Sequence, residues 1–414
     1  MMLARFYNTF EFIGNIHIPS GDKFHKITTS EKGWEGHRLT FAVQESKTNS
    51  IFVEMFGGYF KSKPNNIITF SKGTENNPGS KIEIPWEDRL KPETIDMVAD
   101  FRKTVVDFTT DSDVKKKLNE LRYEIRNLEF KDSLTEQEKN KLIDLKNEYK
   151  ELAKDRREFI HDFDAIVYLK TFLPIHKDRK FRVTGRVEFS EDKGKFYRRF
   201  KPELIEIVDD ETPSKLRAKM DIFFTSDSFD EQDFEKEKKY YINGYLLSYD
   251  SKAKKDQFFP QQFVINAQKV DFNNELHVKR LKYLKNQFTK AKKNKVYHLL
   301  WEVNVFRGAE RVEITLDDLT PQQREAIELG FNKLEDFIPR EGMFGESIYE
   351  NRLIKPILER VNNDNDFTEG PIETDYTLED LEFTRTENKE KETINNEEIK
   401  EDENINIELD NLFG

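Results

Sequence analysis

Net negative charge is confined to the last stretch of this chain, and that confinement limits what the stretch can fold into. From Val361 to Gly414 there are 18 Asp or Glu against 4 Lys or Arg, a net of −14. The remainder holds 64 of the 68 basic and 62 of the 80 acidic residues, so it is close to neutral. The overall −12 describes the tail, not the body. An acidic block without a regular apolar period buries too little surface to offset its ordering entropy, so residues 361–414 are expected to be disordered. The end of the block is different. Ile407-Glu408-Leu409-Asp410-Asn411-Leu412-Phe413-Gly414 sets apolar and aromatic side chains among acids.

The remaining residues, about 360, make room for roughly two domains. Only 36 % of the chain is hydrophobic, but 35 Phe, 14 Tyr and 3 Trp supply the bulk that two medium cores need. The absence of cysteine excludes a disulfide framework, a thiol nucleophile and a Cys-based zinc site. Met1–Arg5 carries no signal-peptide pattern, and the most apolar stretch, Phe163–Ile175, is broken by Asp164 and Lys170. A cytoplasmic protein with no membrane partner is expected. Phosphate-loop, nucleophile-elbow and zincin motifs are missing. The seven histidines are scattered, and His161-Asp162-Phe163-Asp164 has no second cluster to complete a metal site. The expectation is a non-enzyme with no catalytic residues, metal or cofactor.

Period-two apolar runs predict strands at Phe10–Ile18, Arg38–Val43 and Ile51–Phe56, with Gly14 marking a bulge or bend. From Pro92 the spacing of Ile95, Val98, Phe101, Val105 and Phe108 is helical. Val114, Leu118, Leu121, Ile125 and Leu128 form a two-heptad seam, and Ser133-Leu134-Thr135-Glu136 caps a second helix. A coiled-coil hairpin over 113–157 follows, either protruding from or packing across a β domain. Strands resume at Phe181–Phe189 and Lys195–Val208. After Pro213 come strands at Leu216–Thr225, Tyr240–Tyr249 and Phe258–Val270, and a helix at Asn274–Lys292. Two strands at Val296–Phe306 and Arg311–Leu316 precede a closing helix capped by Thr320.

Three strands, a helix and two strands is the order of an OB barrel. The predicted fold is mainly β with α insertions. Residues 1–210 form one five-stranded OB-like barrel interrupted by a helical insertion over 92–175. Residues 211–340 form a second with its closing helix. A linker over 341–360 leads to the disordered acidic tail, 361–414, with its apolar tip.

Single strands are bound by cations that neutralise phosphates and by rings on which bases stack. Several segments interleave the two. Lys195, Tyr197, Arg198 and Arg199 lie on one hairpin beside Arg182 and Arg186. Tyr59, Phe60, Lys61 and Lys63 follow the third strand, and Arg38 lies on the second. Lys238, Lys239, Tyr241, Tyr245 and Tyr249 line another strand, with Lys254 and Lys255 in the adjoining turn. Trp34 sits in a loop between Gly33 and Gly36. Most of the Phe must fill the cores. Lys279 to Lys295 has eight cations and no acid; Lys282 and Lys285 belong to it. That stretch could track a DNA backbone or dock the acidic tail.

A near-neutral, locally basic β body, an acidic tether and the tip residues Glu408, Asp410, Leu412 and Phe413 resemble the layout of the replicative single-stranded-DNA-binding proteins of bacteriophages and bacteria. Glu379-Asp380-Leu381-Glu382-Phe383 is a looser upstream match. The resemblance implies a sequence-tolerant DNA-binding protein, phage-encoded, whose tail competes with DNA and recruits replication or recombination proteins. In that family the aromatic residue is typically last; here Gly414 follows Phe413. A strand-annealing protein or helicase loader, a metal-dependent nuclease and a structural phage protein remain as alternatives.

Overall fold

Strict alternation sets the strands. In Lys180–Asp192, Phe181, Val183, Val187 and Phe189 point inward while Arg182, Thr184, Arg186 and Glu188 stand half-exposed between them. The structure, a computed structural model, describes residues 8–250, 252–312, 316, 319–337, 343–358 and 368–384. It is mainly β, with one large mixed sheet.

The first half opens with β1 (Thr9–His17), β2 (His25–Thr29), β3 (Trp34–Ser46) and β4 (Asn49–Phe60). A small hairpin, β5 (Ile67–Phe70) and β6 (Lys81–Ile84), follows. Next come α1 (Pro92–Met97), β7 (Thr104–Asp107), α2 (Ser112–Glu129), α3 (Glu136–Leu152), β8 (Arg156–Phe159) and α4 (Asp162–Phe172). The half ends with β9 (Lys180–Asp192) and β10 (Lys195–Val208). Antiparallel pairing runs β4-β3-β1-β9-β10. β1 serves two neighbours on one edge: Thr9–Ile13 pair with the second half, and Asn15–His17 with β3. Gly14 stands at the changeover, where a Cβ would lie 2.0 Å from the Gln44 carbonyl oxygen. Only glycine fits there.

The second half contains β11 (Lys215–Phe224), β12 (Phe229–Asp230), α5 (Phe234–Glu237), β13 (Lys239–Asp250), β14 (Lys255–Asn266), α6 (Glu275–Thr289) and β15 (Tyr297–Val312). Then come α7 (Pro321–Glu328), β16 (Met343–Pro356) and β17 (Ile372–Glu373). Its pairing runs β14-β13-β11-β15-β16, and β16 returns to β14 in parallel at Val264↔Arg352. The β1–β11 ladder joins the halves. Phe12, Phe41 and Phe181 are fully buried in the first half, and Phe259, Phe263 and Trp301 in the second. Phe288 of α6 stacks on Trp301 at 5.2 Å.

Several sequence expectations need correction. Val296–Phe306 and Arg311–Leu316 are not two strands: Tyr297–Val312 is one, because Gly308 lets it pass the Thr48 carbonyl without a break. A further strand of that half, Met343–Pro356, lies inside the segment 341–360 expected to be a linker. The helical period from Pro92 covers only a six-residue helix and a short turn before Val105 enters β7. The insertion adds strands as well as helices, since β7 pairs in parallel with β10 and β8 pairs antiparallel with β7. The tail is not uniformly disordered either. β17 pairs with β15, and Leu381 is buried with Phe223, Phe258 and Val296. Phe383 lies 5.1 Å from both Phe196 and Phe259, bridging the two halves. Glu408, Asp410, Leu412 and Phe413 lie outside the described residues.

The helical hairpin packs across the body. Leu118, Leu121 and Leu128 are buried, and Lys115 donates to the Ile207 carbonyl at 2.5 Å. Lys72 and Lys146 each bridge Asp96 and Glu129 at 2.6–2.9 Å. Burial alone would raise the Asp96 carboxyl, but hydrogen bonds from Lys146 and Lys72 outweigh it and hold it below the ordinary value. A depressed carboxyl contributes stability above its unfolded pKa and loses it as pH falls through the folded one. Acidification below the ordinary Asp range should therefore loosen residues 112–152 before the strands. Hydrogen exchange at descending pH measures this; protection that persists in the hairpin until the whole chain unfolds contradicts it.

Candidate nucleic-acid interface

Two turns distant in sequence meet at one end of the molecule. The β9–β10 turn reverses at Lys193 and Gly194, both at positive φ, and the β13–β14 turn at Lys254. Lys252 Nζ donates to the Glu191 carbonyl at 2.6 Å and lies 3.3 Å from Asp192 Oδ1. Lys195, Lys254 and Lys255 are exposed around this junction, as are Tyr197 and Tyr249. Asp192 and Asp256 offset part of the charge. The tip is a mixture of rings and exposed ammonium groups, not a block of pure positive potential.

Most of the other expected cations are already paired. Arg38 meets Glu54 at 3.7 Å, Arg182 meets Glu206 at 2.7 Å, and Arg186 meets Glu203 at 2.5 Å. Arg199 Nε donates to Glu188 at 3.1 Å. Lys238 meets Glu235 at 3.0 Å, and Lys285 meets Glu231. Lys239 is buried against Glu350 at 2.6 Å, which removes it from any surface. Tyr245 is half-buried and packs against the cluster of Phe223 and Phe258. The Tyr241 hydroxyl donates to Glu237; burial, then that carboxylate, raises its pKa. Lys63 and Lys282 are exposed. Lys295, at the end of the acid-free stretch, pairs with Glu373 of β17 at 2.7 Å, so part of the acidic segment does lie against it.

Arg198 is different. Its Nη1 donates to Asn351 Oδ1 at 2.6 Å, and its guanidinium lies 5.0 Å from the Phe200 ring and 4.7 Å from the Tyr349 ring. No carboxylate reaches it among the described residues, and Nε and Nη2 have no hydrogen-bond partner. Alternation along β10 explains the placement: Phe196 and Arg198 meet Phe259 and Asn351 of the second half, Phe200 on the same side packs on Phe10 and Phe12, and Tyr197 and Arg199 lie on the opposite side. Burial pulls Arg198 down to about 9, still charged at neutral pH. An uncompensated cation thus sits at the seam between the halves, covered by Tyr349, a ring 54 % exposed.

A third group surrounds Trp34. Its six-membered ring occupies the space that Cβ atoms at Gly36 and Gly58 would take, 2.3 and 2.5 Å from them. Tyr59 stacks on Trp86 at 5.4 Å and donates to Glu35 at 3.1 Å. Lys61 holds Glu35 at 2.6 Å; that bond, then His37, depresses the Glu35 carboxyl to about 2. Phe60 pairs with Trp34 across the β3–β4 ladder. Trp86 and Arg102 were not among the expected site residues. A tryptophan directly after Pro85 in a loop was the available signal for the first, the same signal that pointed to Trp34.

No helix among the described residues is long and apolar enough to cross a membrane, and no group of three metal-ligating side chains occurs among them. No protein-family model and no curated protein matches the chain. Among solved structures, a deletion mutant of the single-stranded DNA binding protein from Thermus aquaticus is similar at 11 % identity, covering 77 % of this chain and 100 % of that one. The TM-score is 0.26, a likeness too loose to carry any argument.

Proposed function

We propose that this chain is a non-enzymatic protein that binds single-stranded DNA with little sequence preference, and that each half is an OB-like barrel. Support for the barrels is the pairing order: β1 lies between β3 and β9, β11 lies between β13 and β15, and β16 returns to β14. The observation that carries the function is Arg198, a cation without a carboxylate beside exposed rings and Lys-bearing turns. A phosphate at Nη2 would supply the missing acceptor once Tyr349 rotates, and Tyr197 and Tyr249 offer faces to bases. The proposed setting is phage-type replication or recombination. There the acidic residues beyond 384 compete with DNA while Leu412 and Phe413 engage a partner protein.

Replacing Tyr197 by Ala should weaken binding of a labelled oligonucleotide by about 1–3 kcal/mol, the worth of one stacked base. Fluorescence anisotropy measures it. An unchanged affinity would make that ring a spectator.

A further inference from the structure

The pocket beside Trp34 is built from parts the strand-binding proposal does not require. It encloses about 290 Å³, at or just below the lower end of the range that holds small organic molecules, roughly 300–1,000 Å³. Trp34, Tyr59, Phe60 and Trp86 supply ring surface to its wall. The inner side of the Trp34 ring lies on two glycines, which brings the ring closer to the β3–β4 backbone than any side chain would allow. Arg89 lies 4.1 Å from the Trp86 centroid and fixes that indole from outside the pocket wall.

Two polar groups on the wall have defined roles. His161 Nδ1 accepts the Phe163 N–H at 3.2 Å as the N-cap of α4, so in the neutral ring the proton is on Nε2. Burial lowers the His161 pKa, which keeps the ring neutral at physiological pH. Nε2–H is then a donor with no partner among the described residues. Asn66 Nδ2 donates to Glu83 at 2.8 Å, which leaves Asn66 Oδ1 as an acceptor. A donor and an acceptor between aromatic walls match the edge and faces of a nucleobase.

A second pocket of about 270 Å³ adjoins the first and shares Ile67, Ile68 and His161 with it. It contains Arg102, whose guanidinium lies 4.8 Å from the Phe70 ring and 5.3 Å from the Phe101 ring. Among the described residues no carboxylate pairs with Arg102. The other cations of that pocket are neutralised: Lys103 by Glu158 at 3.0 Å, Lys201 by Asp162 at 2.6 Å and Arg186 by Glu203 at 2.5 Å. Next to the aromatic cavity, therefore, Arg102 is a cation that no carboxylate among the described residues pairs with, placed where the phosphate of an inserted nucleotide would lie.

We infer that this pair of pockets is a single-nucleotide subsite, the base held in the cavity that Trp34, Tyr59, Phe60 and Trp86 line, where Trp86 presents its edge because Tyr59 and Arg89 cover its faces, and its phosphate on Arg102. This deepens the strand-binding proposal and rests on it. It adds Trp86, in the turn that follows β6, and Arg102 and His161, which lie within the insertion.

The test uses the full chain and two oligonucleotides of equal length, one of thymidines and one of abasic sites. Wild type should bind the thymidine strand more tightly. Trp86→Leu should weaken that strand about tenfold and leave the abasic strand unchanged, while Trp86→Phe, which keeps a ring, should recover most of the loss. Melting curves of each variant separate loss of the subsite from loss of fold. Equal affinity of wild type and a folded Trp86→Leu for the thymidine strand overturns the subsite and leaves strand binding standing. If wild type binds neither strand yet thymidine monophosphate still quenches its tryptophan fluorescence, the strand-binding proposal fails and the subsite stands.

Discussion

Arg198→Met should raise the melting temperature of the free protein and at the same time weaken single-strand binding about tenfold. Both effects follow from one guanidinium. In the free chain its Nε and Nη2 are buried without partners, and each such group costs about 1–3 kcal/mol. Methionine fills much of the volume between Phe200 and Tyr349 without a charge. It leaves Asn351 Oδ1 without its 2.6 Å donor, which cancels part of the gain. A net gain of about 1–2 kcal/mol corresponds to a rise of roughly 2–8 °C for a domain of this size. In the complex, the same substitution removes a charge-assisted contact to phosphate, so the slope of log affinity against log salt should fall by about one unit. Structural arginines do not behave this way. Arg156, buried against Asp107 at 3.0 Å, should destabilise when replaced and leave the salt slope alone. If Arg198→Met destabilises the protein, or leaves binding intact, Arg198 is an architectural residue as well.

Truncation of the tail should give opposite results at two positions. A chain ending at Arg360 loses Leu381 from a core cluster, Phe383 from between Phe196 and Phe259, and the β17 pairing. One buried Leu→Ala change costs about 2–5 kcal/mol, so removing the whole segment should cost on the order of 5 kcal/mol, a large fraction of a marginal total. A chain ending at Thr384 keeps all of these contacts. It loses ten acids against Arg385, Lys389, Lys391 and Lys400, a tethered net charge of −6. Its urea midpoint should match the full chain, and its affinity for single strands should rise, most at low salt, where a charged competitor is least screened. Equal midpoints for the two truncations would show that residues 368–384 do not support the fold. Unchanged affinity at low salt would remove the competitor role from residues 385–414.

Strand periodicity was readable wherever one face of a strand is buried, as in β9 and β13, because alternation is all that such a strand needs. The helical hairpin was readable from its seam and its Thr135 cap for the same kind of reason. β16 was missed because Met343–Pro356 carries Glu346, Glu350, Asn351 and Arg352 on a strand that returns between two others; Glu350 and Asn351 are satisfied by partners distant in sequence, Lys239 and Gln262. The docked part of the tail was missed because Tyr376, Leu381 and Phe383 are single apolar side chains in an acidic setting. Tyr376 and Leu381 join a cluster made by the folded second half, and Phe383 fits between Phe196 and Phe259 of the two halves, placements that no local pattern encodes. At the candidate site the clusters were legible and their internal pairing was not. Lys239, Arg182, Arg186 and Arg199 look alike in sequence to Arg198, and only the position of carboxylates on neighbouring strands tells them apart.

The central claim is single-strand binding by phosphate neutralisation with base stacking. The most direct measurement is a titration of the full chain with one labelled sequence, single-stranded and then annealed to its complement, at several salt concentrations. The expected result is tighter binding to the single strand at every salt, affinity that falls steeply with salt, and quenching of intrinsic tryptophan fluorescence on the single strand alone. Equal or tighter binding to the duplex, or binding to neither form at low salt, would contradict it.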